Sequence, residues 1–488
     1  MSSGSRGPTS RHASPQPNVP GRGIIAGYSA RFWALVVIIG VVTGLAAALL
    51  ALILKAVEHA SWAYHVGTML GAAMRSGALR HVLVLLGAGL VAGLGALLVD
   101  RVRGSGAGEI SAALWAGDGH LPFLKSQVRG LISIVTVGMG ASLGREAAPQ
   151  LAGAALASSL SERAGFPIWQ RRLLVACGAG AGMAAIYNVP LGGALFALEV
   201  LLGTLALPLV LPALATSVIA TVVAWIAVPD RPTYHVAGYG VSASQIAWAV
   251  VIGPLAGLLA VGWVRVVARM NVLKPRRWGR LAAPIVIFAV LGAVSIAYPQ
   301  LLGNGKDVVQ LAINDHLGVV LLGVLLVLKP LATAACLGSG SPGGLFTPTL
   351  MIGAVFGGLL GHGWAALWPG APLGSYAIIG GAAVLAASMQ GPLAAIVLML
   401  ELTHTSDGLM APILLAVTEA TIVARRLGAP SIYSARLSLG GDQGVASVEE
   451  LADIGARHDL ELTSAELASA ELASDELASD ELTRPPAG

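Results

Sequence analysis

Glu146 is the first residue whose surroundings call for chemistry. It stands in GREAAP, Gly144 to Pro149, within a stretch rich in Gly, Ala and branched apolar residues. A carboxylate in such surroundings is costly, and beside an anion's path it repels the ion. It should block that path when ionised and clear it when protonated or swung aside. Three glycine-rich runs sit at apparent helix starts: GSGAGE at 104–109, GREAAP at 144–149 and GSGSPGGLFTP at 338–348. A helix start presents free N–H groups and the positive end of the dipole, so three converging starts could hold a bare halide without a full positive charge. One glycine run alone says little, because Gly is common at membrane helix contacts.

The elements that must position these groups are membrane elements. The chain has 488 residues, 56% hydrophobic and 11% charged, against about 25% charged in soluble domains. Apolar runs near 32–54, 82–99, 245–264, 281–298 and 317–337 can each cross a bilayer core, which takes ~20 helical residues. Stretches at 130–143, 147–160, 172–187, 190–203, 345–359 and 392–402 are interrupted by Gly and Pro and read as half-helices that stop inside the protein. Broken helices at membrane depth need protein or a water-filled path around them, which points to transport.

Charge is distributed unevenly. Residues 442–488 hold 12 of the 25 acidic residues and 2 of the 29 Lys and Arg, leaving the body with 27 basic and 13 acidic groups. That excess favours anions, although basic cytoplasmic loops account for it equally well. Residues 1–30 lack the apolar core of a secretory signal and read as a flexible cytoplasmic leader, with Arg6, Arg11, Arg22 and Arg31 unopposed by acids. The tail 441–488 ends in the five-residue repeat TSAEL, ASAEL, ASDEL, ASDEL, an acidic low-complexity segment expected to be disordered or transiently helical. Cys177 and Cys336 show no CxxC spacing and are expected to pack rather than bind metal. The histidines are scattered and no HExxH occurs, so no enzyme is expected.

The body, about 31–440, is duplicated. GREAAP and GGLFTP (Gly343 to Pro348) share a Gly followed five residues later by Pro. Downstream, Ala184, Ala185, Pro190, Leu191 and Glu199 correspond to Ala386, Ala387, Pro392, Leu393 and Glu401. Two copies of one membrane unit follow, roughly 30–230 and 245–437, with the substrate expected at their interface near mid-membrane.

These motifs resemble those of the CLC family of chloride channels and proton/chloride antiporters. GSGAGE is similar to the family's GSGIPE, GREAAP to GREGP and GGLFTP to GxFxP, in the same order; YNVPLGGALFALE and APSIYSA also match. The resemblance covers about residues 30–440. It implies an all-α, inverted-repeat bundle of about eighteen tilted and broken helices in the cell membrane, assembled as a homodimer with one pore per subunit. Chloride would be the bound substrate, with no other cofactor, no nucleic acid and no paired nucleotide-binding domain after the body. Here Ala147 and Ala148 replace the motif's Gly and Pro, and Ala107 and Gly108 its Ile and Pro, which could adjust gating.

By the same resemblance the anion site uses the hydroxyls of Ser105 and Tyr433 and the backbone N–H groups of Leu345 and Phe346, with Glu146 as the gating glutamate. Hydroxyls donate a hydrogen bond without adding a counter-ion. Ser105 with Tyr433 argues for chloride over fluoride or nitrate. The family's exchangers carry a second, proton-relaying glutamate where this chain has Val200. Valine carries no proton, so channel-like passive conduction is expected, with proton-coupled antiport as the alternative. Glu199, one residue earlier, either substitutes as the relay or is fixed at a helix end like Glu401.

Overall fold

The computed structural model describes residues 28–102, 109–115, 117–236, 238–404 and 408–437. Nearly all of the leader, the acidic tail and Ser105 lie outside the described residues.

Among the described residues there are seventeen α-helices and no strand. The first half runs α1 (Ala30–Trp62), α2 (Met69–Arg75), α3 (Ala78–Arg101), α4 (Ile110–Trp115), α5 (Phe123–Gly138), α6 (Ala147–Arg163), α7 (Ile168–Tyr187), α8 (Pro190–Leu195) and α9 (Leu207–Ala224). α8 continues as a π-helical segment, Phe196–Leu202. The second half runs α10 (Ala243–Val272), α11 (Gly279–Ser295), α12 (Lys306–Ile313), α13 (Val319–Gly338), α14 (Phe346–Leu367), α15 (Leu373–Met389), α16 (Pro392–Thr403) and α17 (Met410–Arg426). This is a multi-pass membrane protein: α1, α3, α9, α10, α13 and α14 are each long and apolar enough to cross a bilayer.

Local sequence sets where these helices begin and end. Ser29 caps α1 by accepting the Phe32 amide at 3.2 Å, and Ser242 with Gln245 forms a capping box on α10. α7 and α15 stop at Asn188 and Gln390, both in the left-handed region at φ +59°. Each stop lies two residues ahead of a proline, Pro190 or Pro392, that opens the next helix.

Several stretches differ from their sequence reading, in which α2, α4, α9, α12, α15 and α17 are absent. Residues 345–359, expected as a half-helix, belong to a 22-residue helix, α14. Its Gly357 sits inside the helix and lets α15 approach, since a Cβ there would overlap the Tyr376 carbonyl. α9, with Pro212 inside it, is absent from the sequence reading. The helix runs through the proline, and the Thr216 hydroxyl donates to the Pro212 carbonyl at 2.6 Å.

The halves pack in matching pairs: α6 on α7 and α14 on α15, α1 on α9 and α10 on α17, while α3 and α11 meet across the halves. Small residues make the contacts. Gly153 of α6 and Gly178 of α7 face each other so closely that a Cβ on either would strike the other's carbonyl. The repeat is inverted. The two motif loops meet in an antiparallel bridge, Gly144 N–H to Gly344 O at 2.7 Å and Gly344 N–H to Gly144 O at 2.9 Å, from which α6 and α14 depart.

Candidate anion path

Glu146 immediately precedes α6 and is 1% exposed. Its Oε1 accepts the Phe346 amide, the first residue of α14, at 2.7 Å. Its Oε2 accepts the Tyr187 hydroxyl at 2.8 Å, and that hydroxyl also bonds Thr347 Oγ1. The side chain occupies space that two glycines leave free, since a Cβ on Gly144 or Gly344 would overlap the carboxylate. A buried carboxylate survives when donors surround it, and here one amide and one phenol serve. Neither donor carries a charge. An anion that displaced the carboxylate would find the same two donors.

Phe346 and Leu345 are both 1% exposed at the start of α14. Tyr433 packs edge-to-face on Phe196, ring centroids 5.2 Å apart, and lies close enough to Glu146 to feel its charge. Its hydroxyl is buried and has no hydrogen-bond partner among the described residues. A buried hydroxyl without a partner costs stability unless something transient fills its bond, and an anion is such a partner. The structure therefore brings Glu146, Phe346 and Leu345 together with Tyr433 nearby.

Glu199 is placed differently. It lies in the π-helical segment, where its Oε2 accepts the Ala394 amide at 2.6 Å and its Oε1 the Leu393 amide at 3.2 Å, both in the first turn of α16. Both oxygens cap a helix. Val200 beside it is 6% exposed.

Three side chains, Tyr187, Thr347 and Lys329, escaped the sequence reading. Tyr187 and Thr347, described above, form the hydroxyl pair against the Glu146 carboxylate. The Arg145 guanidinium lies 4.8 Å over the Tyr187 ring and makes no ion pair among the described residues, so no salt bridge neutralises Glu146. Lys329 of α13 is fully buried, with its ammonium donating to the carbonyls of Gly303 at 2.8 Å and Leu301 at 3.1 Å. As the only charged residue of the apolar run 317–337, it was a signal available in the sequence.

A cavity of about 470 Å³ ends on Tyr187 and Arg145, between the C-terminal end of α1 and the start of α12. Beside the GGLFTP loop, Glu109 pairs with Arg436 at 3.1 Å and Arg129 at 3.2 Å, and Arg436 also donates to the Gly343 carbonyl at 3.3 Å. Burial pushes the Glu109 carboxyl up, but Arg436, Arg129 and Lys274 outweigh it and hold it below the usual carboxylate range. That anchor stays ionised at neutral pH.

An inverted repeat of broken membrane helices, with a buried carboxylate seated on a helix-start amide, defines a membrane transporter of anion-path type. The comparisons specify it further. Residues 87–425 match the family model described as voltage gated chloride channel. A chloride channel protein of Ralstonia nicotianae described as ClcB-like is 34% identical over 380 residues, 74% of this chain and 86% of that one. The voltage-gated ClC-type chloride channel ClcB of Salmonella typhimurium is 30% identical over 410 residues, 81% of this chain and 96% of that one. Among solved structures, a slow cyanobacterial Cl-/H+ antiporter superposes with TM-score 0.73 at 22% identity, covering 83% of this chain and 97% of that one. The chain belongs to the CLC family of chloride channels and transporters.

Proposed function

We propose that the protein exchanges chloride for protons through a path in which the Glu146 carboxylate and a chloride ion compete for one seat. The observation that carries this reading is the hydrogen bond from the Phe346 amide to Glu146 Oε1. A carboxylate leaves two donors in a dry site most easily after gaining a proton, so clearing the seat for chloride also moves a proton. Tyr433, with its unbonded hydroxyl, and Leu345 would complete the anion's surroundings, and Ser105 joins them by the family resemblance. Assembly as a homodimer with one path per subunit belongs to the same proposal, which assigns the protein no enzymatic chemistry.

Passive, channel-like conduction is the second reading. It is favoured by Val200, which offers no proton site, and by Glu199, whose two oxygens are held by α16 amides. Purified protein in liposomes with an imposed chloride gradient separates the two. Uphill proton movement at a fixed ratio to chloride supports exchange; chloride flux with no accompanying proton movement returns the channel reading.

A further inference from the structure

The cavity that ends on Tyr187 and Arg145 has a charge pattern that gating does not use. Four basic side chains line it, Lys55, Arg145, Arg231 and Lys306, against two acidic ones, Glu58 and Asp307. Both acids bond to neutral donors of the same wall: Glu58 accepts the Tyr64 hydroxyl at 3.0 Å and Asp307 the Leu70 amide at 3.2 Å. Among the described residues, no basic group of the cavity comes within ion-pair distance of either. Burial first, then Arg145 and Arg231, pull the Lys306 amine down to about 8 against the opposing pull of Asp307 and Glu58. Asn304 turns its carboxamide oxygen to the Lys306 amide at 3.1 Å, leaving its two N–H donors without a partner among the described residues.

The size is equally informative. About 470 Å³ falls in the range of small-molecule pockets, roughly 300–1,000 Å³, and exceeds what one monatomic ion fills. Two uncompensated positive charges, an arginine fork and a free amide group suit a polyatomic anion with several acceptor oxygens. We propose that this cavity binds a divalent tetrahedral oxyanion, of the sulfate or hydrogen phosphate type, which sits above Tyr187 and obstructs anion entry. The obstruction rests on the transport reading above; the binding does not.

Sulfate titrated calorimetrically into the purified full chain in detergent reads the binding by itself. Saturable binding is expected, weakened about tenfold in Lys306→Met and in Arg231→Gln, which is about 1.4 kcal/mol each, and largely retained in Lys306→Arg. Thermal unfolding of each variant identifies any that fails to fold, and Lys306→Arg then carries the comparison. Chloride flux from liposomes, with sulfate on both faces and gluconate as the ionic-strength control, reads the obstruction. Inhibition by sulfate that is relieved in Lys306→Met is expected. No saturable binding overturns the site even if chloride flux is robust. Binding without chloride flux keeps the site and removes the transport reading. Binding without inhibition of a robust flux overturns the obstruction. Repeating the flux titration in vesicles of neutral and of anionic phospholipid identifies the source of the oxyanion. An anionic surface at about −30 mV by itself depletes a divalent anion about tenfold, so a loss of potency within that factor supports a free ion, and a loss well beyond it assigns the cavity to a lipid headgroup and overturns the free-ion reading.

Discussion

Glu199 and Glu401 each cap a helix belonging to the other half of the molecule. Glu199 receives the Leu393 and Ala394 amides of α16, while Glu401 receives the Leu191 amide of α8 at 3.0 Å and the Gly192 amide at 2.6 Å. The match between the two sites includes the short bond on the second amide. Losing the charge should cost each cap a hydrogen bond to an ionised group, about 1.5–3 kcal/mol. Glu199→Gln and Glu401→Gln are therefore expected to lower thermal stability by similar amounts. A relay role for Glu199 would show instead as loss of chloride-driven proton movement in Glu199→Gln alone, with its stability cost unchanged.

Gly344 offers a test of the gate that leaves the carboxylate chemistry untouched. A methyl group there overlaps Glu146 Oε1, so Gly344→Ala should expel the side chain from the Phe346 amide. Chloride flux should rise and lose its pH dependence, approaching the behaviour of Glu146→Ala. Wild-type pH dependence in Gly344→Ala would mean that the carboxylate does not gate from this position.

Glu146→Gln mimics the protonated acid while keeping its shape. Anion flux in this variant should be insensitive to pH, and any proton movement coupled to chloride should vanish. Simultaneous recording of chloride and pH in liposomes gives both readouts.

The Tyr433 hydroxyl has no partner to lose within the described structure. Tyr433→Phe removes an unbonded buried hydroxyl, so without chloride it should be at least as stable as wild type, yet it should weaken chloride binding by about 0.5–1.5 kcal/mol, the worth of one hydrogen bond. Calorimetric chloride titration measures it, and unchanged affinity would remove the hydroxyl from the site.

Glu109 sets an acid limit. Its carboxyl lies below the ordinary range in the folded protein, so its contribution is present above the unfolded carboxylate value and lost as pH falls through the folded one. Removing the charge with Glu109→Gln should lower stability at neutral pH by about 1.5–3 kcal/mol and flatten the acid side of the stability profile. Thermal unfolding between neutral and strongly acidic pH is the check; an equal acid dependence in wild type and variant would place the titrating group elsewhere.

Much of this architecture was legible because membrane sequences carry few competing signals. The pairing of GREAAP with GGLFTP, and of Pro190–Glu199 with Pro392–Glu401, exposed the duplication before any coordinates. Spacing could not reveal its direction, since inversion depends on how the two copies lie across the membrane. Glycines shortened α14 in the sequence reading because a residue that weakens a helix in water is tolerated in a membrane helix where a neighbouring helix packs against it, as α15 does at Gly357. At the site, Glu146 announced itself as a lone carboxylate. Tyr187 and Thr347 did not, because a hydroxyl's importance depends on what folds against it, and their partner lies in GREAAP, far away in the chain.

The two hydrogen bonds between Gly144 and Gly344 have a consequence for how transport can proceed. They tie the inverted halves together at the point where a rocking mechanism would need them to part. Moving one half as a rigid body would break both bonds in a dry region and leave four backbone groups unsatisfied, at several kilocalories per mole. Rotating one glutamate side chain costs far less. Under the proposed exchange reading the moving part is a single residue within a fixed frame, and the inward-open and outward-open forms should then share one backbone and differ in where Glu146 points.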